Sequence, residues 1–308
     1  MADALTLEDG QTERFRAGFA AVVGRPNVGK SMLVNALVGG KVAITSGRPQ
    51  TTRRALHGVL NAAGSQVVLV DTPGYHKPRS LLGERLNDIV RAAWGDVEVA
   101  LLVVDGHAGV GRGDERVAAD LATAAVPAFC VVNKVDLMSK EGVPEALQRA
   151  AWLGEFDEIV PTSGRTGYNL DVLKELLVER MPEGPMYYPP GMRSDLPPPL
   201  FVAEVVREKF LERTRDEVPH SIAVVPEEVT ERADGLLEAR IDLFVERESQ
   251  KGMVIGKGGS LLKEAGSAAR EEIEVLFGRR VFLDLRVKVE PDWQRRAAAL
   301  TRLGIGID

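Results

Sequence analysis

Two glycine-rich stretches of this chain have a composition suited to holding phosphate. The first, "GRPNVGKS" at 24–31, fits the pattern Gly-x-x-x-x-Gly-Lys-Ser between a strand-like run and a helix-like run. Glycines let successive backbone N–H groups converge on phosphate oxygens, and the N-terminus of the following helix adds partial positive charge. Lys30 would then reach the β- and γ-phosphates, and the Ser31 hydroxyl would bind Mg²⁺. The residues predicted to line this nucleoside triphosphate site are Gly24, Asn27, Val28, Gly29, Lys30, Ser31 and Met32.

The tetrapeptide "DTPG" at 71–74 ends the strand-like run "SQVVLVD". Asp71 could anchor Mg²⁺ through water, and the Gly74 N–H could contact a γ-phosphate. Asp, Pro and Gly also favour ordinary turns. Because the tetrapeptide follows the first glycine loop by about forty residues, we favour the nucleotide interpretation.

The polar segment "QTTRR" at 50–54 contains a candidate metal ligand. One of its threonines should close on Mg²⁺ when a γ-phosphate is present and release it after hydrolysis. Thr52 is favoured over Thr51, although the sequence barely separates the two. The predicted metal ligands are Ser31, Thr52 and Asp71, and the predicted catalytic residues are Lys30, Thr52 and Gly74.

The stretch "NKVD" at 133–136 ends another strand-like run and indicates which base is bound. Asp136 could accept hydrogen bonds from N1–H and the exocyclic amine of guanine, while Asn133 and the Lys134 stem support the base. Adenine lacks that donor pair and would leave a carboxylate unpaired, which is costly. A strand that runs into a polar turn is the simpler alternative for four residues, but their order after the other motifs favours guanine.

The second glycine loop, "VIGKGG" at 254–259, fails the spacing of the first because its lysine precedes the final glycine pair. It instead fits Gly-x-x-Gly between an apolar pair and a helix, the KH pattern, which clamps about four single-stranded nucleotides. The alternative is an ordinary glycine-rich helix start with solvated lysines. The predicted RNA-binding residues are Gly256, Lys257, Gly258, Gly259 and Lys263, with Lys251 and Arg270 extending a local basic edge.

Two kinds of domain must position these motifs. From residue 17 to about 180, β-branched runs alternate with helix-like stretches, which predicts a doubly wound α/β domain with a mostly parallel sheet. Its strands are predicted at "AGFAAVV", "SQVVLVD", "VEVALLVVD", "AFCVVNK" and "DEIVPTS", and its helices at 31–38, 81–94, 114–124, 144–153 and 169–180. A Pro-rich linker that packs on another part of the chain is predicted at 182–199.

After the linker the pattern is α-β-β-α-β, with a helix over 260–277 that ends at Gly278 and a half-buried final strand over 280–290. This predicts a smaller α+β domain. The predicted organisation is an N-terminal extension at 1–16, the P-loop domain at 17–181, the linker, the α+β domain at 200–292 and a tail at 293–308.

Composition limits the function classes. Of 308 residues, 44% are hydrophobic, a globular value, and no apolar run approaches the ~20 residues of a membrane span. The opening is acidic and the one cysteine, Cys130, lies in an apolar run, so we expect a cytoplasmic protein with a buried thiol. Residues 200–308 hold 18 Lys and Arg against 21 Asp and Glu, so RNA binding must use a local patch.

Taken together, "GRPNVGKS…QTTR…DTPG…NKVD" followed by "VIGKGG" resembles the Era family of bacterial ribosome-assembly GTPases over nearly the whole chain. The resemblance implies a P-loop GTPase domain followed by a type II KH domain. It also implies slow hydrolysis of GTP to GDP and phosphate, and a partner in small-subunit rRNA near the 16S rRNA 3′ end during 30S assembly. We expect a monomer that uses Mg²⁺ and does not bind DNA.

The resemblance also assigns the last guanine-binding loop to "PTSG" at 161–164, where Ser163 and its neighbours would present backbone N–H groups to the base. The family usually has Ser-Ala there, so Gly164 keeps the backbone contact possible and loosens the loop. Met32 stands where the family more often has threonine, so one minor hydroxyl contact to the phosphates is missing.

The motifs do not identify the group that activates the water that attacks GTP. Ras-like enzymes place a glutamine where this chain has Tyr75, so the resemblance implies that other groups activate water. In related GTPases an asparagine at the position of Asn27 helps to hold K⁺, and turn geometry is an equally weighted explanation of this residue.

A membrane-peripheral regulatory GTPase, on the inner membrane, is the alternative function, supported by Arg295, Arg296 and Arg302 in the tail. A metabolic kinase is disfavoured by "NKVD".

Overall fold

The computed structural model describes residues 15–48, 51–78 and 80–305. They form two compact units. The first unit comprises the described parts of Met1–Ala43, Thr52–Lys77 and Leu86–Asp195, and the second comprises those of Ile44–Thr51, Pro78–Arg85 and Leu196–Asp308. Most of the predicted N-terminal extension lies outside the described residues, and the predicted domain boundaries remain predictions.

The first unit is built on a six-stranded sheet of order β2-β3-β1-β4-β5-β6, parallel except for β2. Its strands are β1 Arg16–Val23, β2 Leu56–Ala62, β3 Ser65–Asp71, β4 Val99–Asp105, β5 Ala128–Asn133 and β6 Glu158–Pro161. The helices that alternate with these strands are α1 Lys30–Val38, α2 Leu81–Ala93, α3 Arg112–Ala124, α4 Gly142–Ala151 and α5 Leu170–Arg180.

Burial on both faces explains why the central strands are continuously apolar. Every residue of β4 is buried. Its Leu101 joins the core that contains Leu33 of α1 and Leu173 of α5, whereas the next residue, Leu102, joins the core that contains Val117 of α3. Neighbouring residues thus serve opposite layers, and the carboxyl ends of the parallel strands meet at one edge, where ligands of such sheets bind.

The predicted strands and helices of this unit are confirmed within a few residues, and one strand was missed. The strand β2, "LHGVLNA", is antiparallel to β3 and mixes histidine, glycine and asparagine with apolar residues, so it shows no strand periodicity. It is an edge strand, and the N–H of Val59 donates to the carbonyl of Arg193 at 2.8 Å. Cys130 is buried as expected, and burial raises the pKa of its thiol to about 12.

The Pro-rich segment up to Asp195 belongs to the first unit and packs within it on β2 and β3, which confirms that its tyrosines pack on another part of the chain. The N–H groups of Tyr187 and Tyr188 both donate to Oε1 of Gln66, at 3.0 and 2.9 Å. The Tyr188 hydroxyl donates to Asp195 at 2.8 Å, and Nδ1 of His57 lies 2.7 Å from the same carboxylate oxygen.

The second unit carries a three-stranded sheet of order β7-β8-β9, in which β7 and β8 are antiparallel and β8 and β9 are parallel. Its strands are β7 Ala223–Glu231, β8 Leu237–Val245 and β9 Val281–Val289. Its helices are α6 Pro198–Arg213, α7 Val218–Ser221, α8 Glu248–Ile255, α9 Ser260–Phe277 and α10 Ala297–Arg302. Phe210, Ile241 and Ile273 lie in its core.

The predicted order α-β-β-α-β omitted two helices, the short α7 and α8. Helix α8 directly precedes the second glycine loop, and Oε1 of Gln250 accepts the N–H groups of Glu246 and Arg247 at its start. The N-cap residue is Arg247, not the Ser, Thr, Asp or Asn that marks most helix starts, so the sequence carried little signal. Gly278 has the left-handed conformation expected at the end of α9.

Candidate nucleotide and RNA sites

The first glycine loop lies between β1 and α1 and has no room for side chains at its key positions. Gly24 has φ 147°, and a Cβ there would lie 2.4 Å from the carbonyl oxygen of Val103. Gly29 has φ 97°, and a Cβ there would lie 2.5 Å from Nδ2 of Asn133. Glycine is therefore required at both ends of the loop, which brings the backbone close to its neighbours and leads directly into α1.

Lys30 is a buried cation at the first turn of α1. Its side chain is 6% exposed, and Nζ donates to the carbonyl oxygens of Gly24 and Arg25 at 3.1 and 3.0 Å. Burial lowers the pKa of Lys30 to about 8, against the opposing effects of Asp71 and Asp114. An ammonium group that is enclosed in this way gains strongly from an anion such as phosphate.

The predicted metal ligands come together. The Ser31 hydroxyl donates to Oδ2 of Asp71 at 2.7 Å, and Thr52 Oγ1 lies 2.9 Å from Ser31 Oγ and 3.3 Å from the same carboxylate oxygen. Thr51 instead donates to the carbonyl of Arg48 at 2.8 Å, so the structure separates the two threonines.

Asp71 is fully buried, and its Oδ1 has no hydrogen-bond partner among the described residues. Burial raises the pKa of Asp71 to about 6, although the bond from Ser31 and the charge of Lys30 oppose this shift. An unpartnered carboxylate oxygen beside two hydroxyls fits a hard cation such as Mg²⁺. The assignment of Ser31, Thr52 and Asp71 as ligands remains a prediction.

The DTPG segment lies directly against the first glycine loop. The Thr72 hydroxyl donates to the carbonyl of Val22 at 2.8 Å, and the Tyr75 N–H donates to the carbonyl of Gly24 at 3.0 Å. A Cβ on Gly74 would lie 2.7 Å from backbone atoms of Pro26. Gly74 is thus placed beside the loop that would surround the phosphates.

The NKVD segment is joined to the same loop by its first two residues. Nδ2 of Asn133 donates to the carbonyl of Val28 at 2.9 Å, and Nζ of Lys134 donates to the carbonyl of Asn27 at 2.6 Å. Lys134 also forms an ion pair with Asp105 at 2.6 Å, a partner that the sequence analysis missed. Asp105 ends β4 as Asp71 ends β3, and that shared position was the available signal.

The loop "PTSG" at 161–164, predicted to contact guanine, differs in detail from the expectation. The Ser163 hydroxyl donates to Oδ1 of Asp136 at 2.7 Å, so Ser163 fixes the carboxylate expected to bind guanine. The N–H groups of Ser163 and Gly164 donate to the carbonyl of Tyr168 and to Oδ1 of Asn133, at 3.1 and 3.0 Å. These two N–H groups are thus engaged within the protein, and the bond to Asn133 ties down the loop that Gly164 was expected to loosen.

Asn27 and Met32, the two other residues of interest in and after the first loop, differ in backbone conformation and exposure. Asn27 has φ 66°, a left-handed conformation that asparagine adopts more readily than most residues, which supports its role in turn geometry. Met32 is 40% exposed at the start of α1. Nε of Arg25 also lies 2.7 Å from Oδ2 of Asp114, an ion pair that joins the loop to α3 and that no motif predicted.

The second glycine loop is open where the first is enclosed. Gly256, Gly258 and Gly259 all have positive φ, at 76°, 61° and 80°. A Cβ on Gly258 or Gly259 would meet no atom of the described chain within 4 Å, and Lys257 is exposed. The loop therefore exposes backbone and an ammonium group, an arrangement that is open to an extended ligand such as the predicted RNA.

Beside this loop lies a cavity of about 330 Å³ between α9 and β9. Its apolar lining includes Leu262, Leu283 and Leu285, and Lys263 and Arg270 contribute charge. Arg270 is paired with Glu274 at 3.0 Å, whereas within the described part of the chain Lys257 and Lys263 make no ion pair. The ion pair of Arg270 thus leaves fewer unpaired cations along this edge than the sequence predicted.

Residues 44–48 and 51 belong to the second unit, and buried charges of α6 hold them there. Glu208 is 2% exposed, and its Oε1 accepts the Thr45 N–H at 2.7 Å. Nη2 of Arg48 donates to the carbonyl of Thr214 at 3.0 Å, and Arg207 donates to the carbonyl of Thr51. The residue that follows, Thr52, is the one beside Ser31 and Asp71.

These features define a class: a P-loop protein with a site suited to a guanine nucleotide, joined to a domain with a Gly-x-x-Gly loop. Comparisons with known proteins agree with this class. The model of the "50S ribosome-binding GTPase" family matches residues 19–134, and that of the KH domain matches residues 217–294.

GTPase Era of Mycolicibacterium smegmatis is 48% identical over 295 residues, which cover 94% of this chain and 99% of that protein. GTPase Era of Heliobacterium modesticaldum is 45% identical and covers 95% of this chain and 98% of its own length. The chain belongs to the Era family of GTPases and hydrolyses GTP.

Two solved structures are similar over the same extent. An Era variant from Aquifex aeolicus bound to GDP·AlF4⁻ and Era in complex with MgGDPNP and nucleotides 1506–1542 of 16S ribosomal RNA each have a TM-score of 0.91 and 37% identity. Each covers 95% of this chain and 100% of the solved chain. The predicted fold, a P-loop GTPase domain followed by a KH domain, is confirmed.

Proposed function

We propose that this GTPase is a GTP-controlled switch that binds small-subunit rRNA near the 3′ end of 16S rRNA through its KH domain and assists 30S assembly in the cytoplasm. The observation that carries the proposal is the open loop at Gly256–Gly259, whose Lys257 has no ion-pair partner among the described residues, next to an apolar groove. Such a surface suits a polymer whose phosphates lie at the loop and whose bases lie in the groove. The similar Era structure that contains 16S rRNA nucleotides supports this choice of RNA.

In the nucleotide site, we assign the phosphates to the backbone of the first glycine loop and to Lys30. Ser31, Thr52 and Asp71 would hold Mg²⁺, which would neutralise charge that develops on the phosphates. The Gly74 N–H contacts the γ-phosphate, and Asp136, held by Ser163, selects guanine. No glutamine follows DTPG, so we expect slow intrinsic turnover.

The same proposal includes nucleotide control of RNA binding. The chain that leads into Thr52 is bound by Arg207 and Glu208 of α6, in the unit that carries the RNA loop. A change at Thr52 when the γ-phosphate is lost therefore acts on a segment that α6 already holds. We expect the RNA affinity to depend on whether GTP or GDP is bound.

Binding of a fluorescent RNA with the 3′-terminal sequence of 16S rRNA tests this function. We expect tight, salt-sensitive binding with a GTP analogue and weaker binding with GDP, and no comparable affinity for a scrambled RNA of equal length. Equal affinity for both RNAs, in both nucleotide states, would contradict the proposal.

The alternative, a membrane-peripheral GTPase, is less well supported. In the tail, Arg296 and Arg302 both pair with Glu290, which reduces the charge available to anionic lipid. No helix in the described ranges is both long and apolar enough to span a membrane. Co-sedimentation with liposomes, compared with co-sedimentation with small ribosomal subunits, distinguishes the two functions.

We include a second ion, K⁺, in the proposal only because Asn27 is a candidate to bind it. If this residue holds K⁺ beside the phosphates, GTP turnover is faster in potassium than in sodium at equal ionic strength. Equal turnover in the two salts leaves Asn27 with the turn role that its positive φ already indicates.

A further inference from the structure

Tyr75 directly follows Gly74, the residue expected to contact the γ-phosphate, and its backbone is tied to the nucleotide loop. Its N–H donates to the carbonyl of Gly24 at 3.0 Å, and the preceding Gly74 is in close contact with Pro26. Only 3% of Tyr75 is exposed. Any displacement of Tyr75 would therefore displace Gly74 relative to the loop that surrounds the phosphates.

The side chain of Tyr75 is held by two helices. Its hydroxyl donates to Oδ2 of Asp120 on α3 at 2.5 Å and accepts from Nη2 of Arg91 on α2 at 3.0 Å. The Arg91 guanidinium also lies 5.7 Å from the centre of the Tyr75 ring, and the Trp94 ring lies 6.2 Å away. Both hydrogen-bonding capacities of the hydroxyl are thus used away from the nucleotide loop.

The hydroxyl stays protonated at physiological pH. Burial and the neighbouring Asp120 raise the pKa of Tyr75, so the group acts as donor to the carboxylate while it accepts from Arg91. Bonds to charged partners are stronger than neutral ones, so this phenol is fixed more firmly than an apolar side chain would be at this position.

We propose that Tyr75 is a positioning residue for GTP hydrolysis: its hydroxyl, bound by Asp120 and Arg91, holds Gly74 where the γ-phosphate must be contacted. Tyr75 does not touch the nucleotide and acts through Gly74. This inference rests on the proposed role of Gly74. Because small misplacements of groups around a reacting phosphate lower the rate steeply, loss of the hydroxyl should slow chemistry more than it weakens binding.

The test is Tyr75→Phe, which keeps the ring and removes both hydrogen bonds. We expect kcat for GTP hydrolysis to fall about tenfold and the single-turnover rate constant to fall with it, with the KM for GTP and the affinity for GDP within about twofold of the parent values. Unchanged kcat, or a raised KM with unchanged kcat, overturns the proposal.

Tyr188→Phe is the matched control. This tyrosine also donates its hydroxyl to a carboxylate, Asp195, at 2.8 Å in the same unit, but it belongs to the Pro-rich segment. We expect its kcat to be unchanged. An equal fall in both variants would show a general effect of losing a phenol bond and would overturn the assignment.

A second set of variants changes Asp120, the residue on α3 whose carboxylate accepts the hydrogen bond from the Tyr75 hydroxyl. Asp120→Ala should lower kcat in the same direction, Asp120→Asn should retain most of the activity because its amide oxygen still accepts, and Tyr75→Phe combined with Asp120→Ala should be no slower than Tyr75→Phe alone. Additive losses would mean that the two residues act separately and would contradict the proposal. This cycle also gives an answer if Tyr75→Phe fails to fold, because Asp120→Ala and Asp120→Asn alone then decide it.

Discussion

The two glycine loops of this protein solve different binding problems. Lys30 in the first is 6% exposed and bonded to loop carbonyls, and Gly24 and Gly29 have no space for a side chain. Lys257 in the second is exposed, and a Cβ on Gly258 would have no described atom within 4 Å.

The difference in enclosure matches the difference in ligand. A nucleotide is small and must be oriented to react, so its loop is surrounded by β1, β4 and the NKVD segment and uses buried charge. A polynucleotide is long and passes over a surface, and the loop proposed to bind it is open, lies beside a groove and carries exposed charge. In the first loop, glycine is needed because neighbouring atoms leave no space for a Cβ. In the second loop, it is needed because the backbone has positive φ.

The largest effect should come from Lys30→Ala. Removal of the buried ammonium should weaken GTP binding about 1,000-fold, because the phosphates then lack their main cationic partner in a desolvated site. Isothermal calorimetry measures the loss. RNA affinity without nucleotide should be unchanged, and a parallel loss of RNA binding would show that the two loops are not separate sites.

Lys257→Asp combined with Gly258→Asp should weaken binding of the 16S rRNA 3′ end about 100-fold at physiological salt, since two negative charges then face the phosphate chain. Fluorescence anisotropy measures it, and basal GTP hydrolysis should be unchanged. The matched control is Arg232→Asp combined with Gly235→Asp, the same charge change in the turn between β7 and β8. Equal losses in both would place the RNA elsewhere.

Asp136→Asn should weaken GTP about 30-fold through the loss of charged hydrogen bonds to guanine. Xanthosine triphosphate should bind better to the variant than to the parent, because the amide matches the changed edge of the base. Competition binding with both nucleotides checks this. If GTP affinity does not change, Asp136 does not read the base.

The smallest expected effects are the losses of unfolding free energy caused by two glycine-to-alanine substitutions. Gly258→Ala should cost about 1 kcal/mol of unfolding free energy, the cost of a left-handed residue with open space around it. Gly24→Ala should cost more, about 3 kcal/mol, because its Cβ would meet the carbonyl of Val103. Denaturant unfolding of each variant measures the two losses of unfolding free energy. Equal losses would contradict the conclusion that the first loop is more enclosed than the second.

Local motifs were predictable from the sequence because their chemistry depends on neighbours in the chain. The P-loop, DTPG, NKVD and Gly-x-x-Gly segments all lie at the ends of strands or helices as expected. The missed features depend on tertiary structure. The bond between Tyr75 and Asp120 spans 45 residues and that between Lys134 and Asp105 spans 29, and no spacing rule relates such pairs.

Elements with weak periodicity were also missed for physical reasons. Strand β2 lies at the edge of its sheet, where packing tolerates His57 and Asn61, so its pattern is mixed. Helix α8 has eight residues and depends on the side chain of Gln250 at its start. The sequence favoured Thr52 over Thr51 only narrowly, and the structure adds that Thr52 is the threonine close to Ser31 and Asp71; its role as a metal ligand stays a prediction.

The number of nucleotide sites tests the central claim, that the two loops bind different ligands, most directly. Equilibrium dialysis with labelled GTP, without RNA and with a saturating amount of the 16S rRNA 3′ end, counts the sites and reveals competition. We predict a single GTP per chain in both conditions, because the first loop encloses a nucleotide and the second does not. Binding of a second GTP that RNA displaces would show that the Gly256–Gly259 loop is a nucleotide site and would contradict this claim.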